Sequence, residues 1–151
     1  MSFHAGLLEG IARLLASQSM GVYRDDGVYA ATDRGIVVGR FPEQPVEIVG
    51  LFLYLPGGVG LSPTATRRLA ETRVQIKYRL TGHPLAGVEY FDRLHDLIDR
   101  KTLGLGDIRA TGEYVSFGEL GPSRQARSGY EFTTNWKLTG LAGLPLVPPA
   151  G

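Results

Sequence analysis

The chain has 151 residues, a formal net charge of +1, 43% hydrophobic and 21% charged residues, a composition suited to one globular domain with a single core. Cysteine is absent, which excludes disulfides, thiolate nucleophiles and cysteine-ligated zinc, and no apolar run reaches the roughly 20 residues needed to cross a bilayer. The small net charge argues against a dedicated nucleic-acid binder, and Met1-Ser2-Phe3-His4-Ala5 lacks the basic start of a secretory signal.

Leu7, Leu8, Ile11, Leu14 and Leu15 recur at helical spacing and predict an amphipathic helix over 3–18. Ser2 is its expected N-cap and Gly21 its expected stop. Asp25-Asp26-Gly27 reads as a turn between the β-prone pairs Val22-Tyr23 and Val28-Tyr29. Gly35 to Arg40 reads as a short buried strand. Phe41-Pro42-Glu43-Gln44-Pro45 breaks it, because proline cannot donate to a ladder. Val46 to Leu55 is the longest apolar run and predicts a central strand. A glycine- and proline-rich loop from Pro56 then leads up to Arg67-Arg68.

From Thr72 to Leu80 the alternation has no error. Thr72, Val74, Ile76, Tyr78 and Leu80 share one face; Arg73, Gln75, Lys77 and Arg79 share the other. Gly82-His83-Pro84 is a turn whose proline opens a second helix. Its buried stripe is predicted to be Val88, Phe91, Leu94, Leu97 and Ile98. Glu89, Asp92, Arg93, Asp96 and Asp99 should face water, and Gly104 and Gly106 should end the helix. A strand is expected between Arg109 and Gly118, then a polar loop from Glu119 to Ser128 containing Arg124 and Arg127. Tyr130 to Leu138 alternates again, with Tyr130, Phe132, Trp136 and Leu138 inward. The apolar tail from Gly140, which includes Leu144 and Val147, is too rich in glycine and proline for a regular element. The order of elements predicts a single α+β domain over 1–139, a mostly antiparallel sheet with both helices packed on one face, followed by an extended arm over 140–151.

No pattern of reactive residues emerges. His4, His83 and His95 have no ligand-type partner at the spacing a metal site uses, so neither metal nor cofactor is expected. Gly57-Gly58-Val59-Gly60 lacks the lysine of a phosphate loop, and Gly104-Leu105-Gly106 follows a helix instead of opening one. The serines lack the frame of a nucleophile elbow. An enzyme is therefore not expected. Were there a polar pocket between sheet and helices, His95, Asp92 and Tyr114 would be its candidate groups. Arg73, Gln75, Lys77 and Arg79 need either water or an acidic neighbour.

The strand Thr72-Arg73-Val74-Gln75-Ile76-Lys77-Tyr78-Arg79, the helix after it, an arginine-containing loop and the closing Glu131-Phe132-Thr133-Thr134-Asn135-Trp136 resemble the phage minor capsid or tail terminator family. The first helix and Phe41-Pro42-Glu43-Gln44-Pro45 also stand where that family has corresponding stretches, so the resemblance spans about residues 3 to 139. It implies a structural virion protein of the head–tail junction, a subunit of a hexameric ring that caps the tail tube, stops its polymerisation and offers the head a docking surface. Similar rings occur in gene transfer agents. The implied partners are further copies of the chain, the tail tube protein and a head-completion connector, with DNA passing through the lumen without specific binding. The resemblance carries over no catalytic residue. A closed ring needs two different patches per subunit. Arg67, Arg68, Arg73, Gln75, Lys77, Arg79, Arg124, Arg127, Leu144 and Val147 are the candidate contacts between subunits or with the tube. A head-completion or stopper connector is the alternative, and a small ligand-binding or enzymatic α+β domain the more distant one.

Overall fold

The computed structural model describes residues 3–55, 67–105, 108–115, 122–126 and 129–143. In chain order they form α1 (Phe3–Ser17), β1 (Val22–Tyr23), β2 (Arg34–Val38), β3 (Glu47–Leu55), β4 (Arg67–Leu80), α2 (Pro84–Ile98), β5 (Arg109–Tyr114), β6 (Pro122–Ala126) and β7 (Gly129–Gly143). The strands make one sheet in the order β1-β2-β3-β4-β7-β5, with β6 also pairing with β7. β1, β2 and β3 run parallel to one another; every other pairing is antiparallel. The expected α+β class holds.

The flawless alternation of β4 sets the layering. Val74, Ile76, Tyr78 and Leu80 are all buried on one face, opposite Trp136, Thr134, Phe132 and Tyr130 of β7. Both helices pack on this face. α1 contributes Leu7, Leu8, Ile11, Ala12 and Leu15, and α2 contributes Tyr90, Phe91, Leu94 and Ile98, to one continuous cluster with the sheet. Two phenols bolt the layers together: the Tyr78 hydroxyl donates to the Gly87 carbonyl at 2.7 Å and the Tyr90 hydroxyl to the Met20 carbonyl at 2.9 Å. Burial pushes both phenols up, so both stay protonated donors. Tyr78 stacks on Phe132 with centroids 5.2 Å apart. Trp136 Nε1 donates to Thr134 Oγ1 and that hydroxyl to the Ile76 carbonyl, each at 2.8 Å, so the buried Thr134 hydroxyl is satisfied both as acceptor and as donor.

Several boundaries differ from expectation for local reasons. α1 is closed by Ser19 (φ 59), not Gly21, with Met20 N–H bonded to the Leu15 carbonyl. Gly21 is needed instead for packing, since a Cβ there would lie 2.7 Å from the Ile36 side chain. Val28-Tyr29 forms no strand, and Val28 is exposed. α2 buries Gly87 and Tyr90 where Val88 was expected, and Leu97 is only half-buried. The helix stops at Ile98, well before Gly104, because Asp99 caps it and Arg100 (φ 55) turns the chain. The segment after the turn then runs along β5: Arg100 N–H bonds the Gly112 carbonyl at 2.6 Å and Leu103 N–H the Ala110 carbonyl at 2.8 Å. That pairing covers an otherwise open sheet edge. Asp99, expected in water, is half-buried and accepts the Tyr114 N–H at 2.7 Å. The polar stretch 119–128 contains a strand, β6, where only a loop was expected. β4 starts at Arg67, and β7 continues through Gly140–Gly143, opposite Arg67–Ala70. The first residues of the expected arm are therefore sheet; 144–151 lie outside the described residues.

Trp136 is 1% exposed beneath Phe91 and Tyr114. Trp136→Ala is expected to cost about 3–5 kcal/mol in chemical denaturation; a change near zero would contradict a central β7. At the start of β3, burial alone would raise the Glu47 carboxyl, but the Thr81 N–H at 3.0 Å, then Arg34 and the Thr81 hydroxyl, hold it below the ordinary glutamate value. A depressed carboxyl stabilises the fold fully above its unfolded value, about pH 4.3, and the contribution is lost as pH falls through the folded value. Glu47→Gln should therefore be less stable than wild type near neutrality, with the gap closing on acidification.

Candidate functional site: the polar face of the sheet

The face of the sheet turned away from the helices carries the second half of each alternation. β4 supplies Glu71, Arg73, Gln75, Lys77 and Arg79; β7 supplies Glu131, Thr133, Asn135, Lys137 and Thr139; β5 adds Arg109, Thr111 and Glu113. The register sets Arg73 beside Lys137, Gln75 beside Asn135, Lys77 beside Thr133 and Arg79 beside Glu131. Gln75 Nε2 lies 3.2 Å from Asn135 Oδ1, and Lys137 Nζ lies 3.9 Å from Glu113. From β3 come Phe52, opposite Gln75, and Tyr54, which is 48% exposed.

One end of this face is closed by a strap. Because β2 and β3 are parallel neighbours, the chain must travel back along β2 before β3 can begin. Residues 39–46 make that return over the polar face, through a cis Gln44–Pro45 peptide. Gly50 lets the strap lie close, since a Cβ there would sit 2.8 Å from the Arg40 carbonyl and 3.0 Å from the Phe41 ring. Ile48 and Val37 are buried, outside the main cluster. Arg79 holds the strap down: Nε donates to the Val46 carbonyl at 2.7 Å, and Nη2 faces the carbonyls of Pro42 (2.8 Å), Glu43 (3.0 Å) and Pro45 (3.3 Å). Nη1 lies 3.8 Å from the buried Glu131 carboxylate, as does Lys77 Nζ. Phe41 lies over both cations, 4.8 Å from Lys77 and 5.1 Å from Arg79.

Of the candidate contacts, Arg73, Gln75 and Lys77 share this face and are half-buried. Arg79 is 6% exposed. It is corrected from a contact residue to an internal anchor, because its guanidinium fork is used up on the strap's carbonyls. The backbone of Arg67 and Arg68 lies in β4 opposite Gly143 and Ala142, and that of Arg124 in β6 opposite Glu131. Arg127, Leu144 and Val147 lie outside the described residues. Asn135, Lys137 and Glu113 belong to the site and were not singled out, although the alternation of β7 already puts Asn135 and Lys137 opposite Trp136.

The groups considered for a pocket do not converge as expected. His95 Nε2 lies 3.3 Å from Asp99, and its ring meets Phe91, Tyr114 and Trp136; Asp92 is exposed. A cavity of about 280 Å³ lies instead between the end of α1 and α2, lined by Gln18, Met20, Arg93, Asp96 and Leu97. Among the described residues no cluster of three or more histidines and carboxylates is placed to hold a metal, and no helix is long and apolar enough to cross a membrane. No protein-family model and no curated protein matches the chain. The described residues of the polar face thus bring cations, amides and aromatics together.

Removing Arg79 leaves several strap carbonyls buried without their donor and takes one of two cations from the Glu131 carboxylate. Arg79→Ala is expected to cost about 3–5 kcal/mol, while Lys77→Ala, with its more exposed ammonium, should cost no more than about 1 kcal/mol. Urea denaturation of the two variants checks the contrast, and similar losses would contradict the assignment of Arg79 as the anchor.

Proposed function

We propose that the chain is the subunit of a ring at the junction of a phage head and tail, a tail terminator that caps the tube and offers the head a docking surface. The observation that carries the reading is the polar face of the sheet, which no helix among the described residues packs against. The sheet buries one side under two helices, and the other side keeps half-buried lysine, glutamine and asparagine beside Phe52 and Tyr54, with the strap, among the described residues, lying over one end. Such a mixture of polar and aromatic groups is typical of surfaces that meet another protein. The order of elements along the chain, helix, strands, helix, strands, and the motifs from Thr72 to Trp136 support the same reading. The face suits a protein partner better than DNA, because the cations are partly matched by Glu113, Glu131 and the amides, and a strongly basic lumen would retain DNA through counterion release.

Negative-stain microscopy of the chain mixed with tail tubes tests the proposal. Rings of about six subunits at tube ends, together with an arrest of tube lengthening, are expected. A chain that stays unassociated with itself and with tubes would overturn it.

A further inference from the structure

The helix layer presents a second surface that the ring reading does not by itself explain. On α2, Gly87, Tyr90, Phe91, Leu94 and Ile98 point into the core. At 100° per residue, Leu85, Glu89, Asp92 and Asp96 fall on the side of the helix away from the sheet, with Val88 on one flank and Arg93 on the other. All six are exposed, Leu85 by 60% and Val88 by 37%. None of the three acids forms a salt bridge among the described residues. The stripe is therefore an apolar pair followed by a row of carboxylates, on the outer surface of one layer.

The outer surface of the other layer carries the complement. Arg73, Lys77, Lys137 and Arg109 outnumber the acids Glu71 and Glu113 there, with Arg79 and Glu131 offsetting each other inside. Phe52 and Tyr54 flank the cations. Sizes agree as well: a 15-residue helix is about 22 Å long and 10 Å wide. The stretch of β4 from Glu71 to Lys77, beyond the strap and flanked by β3, β7 and β5, is about 20 Å long and 14 Å across.

We infer that the outer stripe of α2 in one copy docks on the polar sheet face of the next, acids on cations and Leu85–Val88 against Phe52 and Tyr54. The inference rests on the ring reading and names its contact. Because the two surfaces differ and lie on opposite sides of one subunit, the contact is head-to-tail. It generates rings or filaments and cannot stop at a symmetric dimer.

Two double charge reversals decide it: Lys77→Glu with Lys137→Glu on the sheet, and Asp92→Lys with Asp96→Lys on the helix, each checked for folding by circular dichroism. Sedimentation velocity of the concentrated protein at low salt should show wild-type association, weakened at least tenfold by either double reversal. An equimolar mixture of the two variants should associate again, because every interface in an alternating assembly then joins opposite charges. Association of wild type that neither reversal touches would overturn the pairing and leave the ring standing. Loss in both variants without recovery on mixing would overturn it too, and would assign the faces to another protein such as the tube. A wild-type chain that forms rings only on tubes would overturn an intrinsic affinity between copies, whereas a chain forming none anywhere would remove the ring reading as well.

Discussion

The fourteen-residue pairing of β4 with β7 is the constraint on which the molecule depends. Both strands alternate at a period of two, and their register sets the buried residues of one strand opposite the buried residues of the other, Val74 on Trp136 and Tyr78 on Phe132. A slip of one residue would drive Lys77 and Arg73 into the helices and bring Tyr78 and Ile76 to the surface, so burial locks the register. The same lock determines the outer face. Once Tyr78 is set on Phe132 and Val74 on Trp136, Gln75 has to meet Asn135 and Arg79 has to meet Glu131. Core and contact surface are two readouts of one alignment.

Arg79 shows how the fold spends a charge. A parallel step in a sheet of this size needs a return connection, and here it is only eight residues (39–46), too short for the usual crossover helix. The return must lie flat on the sheet with its carbonyls turned inward, where they would be costly without donors. A guanidinium, planar and with several N–H groups in fixed directions, meets several carbonyls from one position. Lysine would supply charge without the fork. The strap in turn lies over the end of the face where Ile48 and Val37 are buried, so the outer face has a small core of its own at that end.

Much of this was legible in the chain. The inward set of β4 and β7, both helices, the placement of the central apolar run in β3 and the layering all follow from periodicity, a local property. What periodicity does not carry is pairing. Nothing in Phe41 to Pro45 says that this segment folds across Lys77 and Arg79, because the parallel step that forces it there is a long-range fact. The assignment of Arg79 to the surface failed for that reason. β6 was missed because Pro122-Ser123-Arg124-Gln125-Ala126 has no apolar alternation and is held by its partner β7. Gly140 to Gly143 likewise belong to the sheet because Arg67 to Ala70 pair with them, not through their own propensity. On α2 the displacement of Val88 by Gly87 and Tyr90 comes from close packing: Phe132 occupies the space where a side chain at 87 would stand.

The two outer surfaces differ in how they reached the surface. A sheet with helices on one side only must leave its other side to water or to a partner. A helix packed on a sheet must likewise leave its far side exposed. A two-layer domain thus always has two unlike faces, and their chemistry decides whether copies ignore or meet one another. Here the helix side is acidic with an apolar end, and the sheet side is basic with aromatics at its margin. Stacking in the order sheet, helices, sheet, helices would bury the exposed Leu85, Val88 and Tyr54 and match the charges without changing the fold. The small net charge follows naturally: attraction between copies of one chain needs charges separated onto opposite sides, not an excess of either sign, and a large excess would make the copies repel.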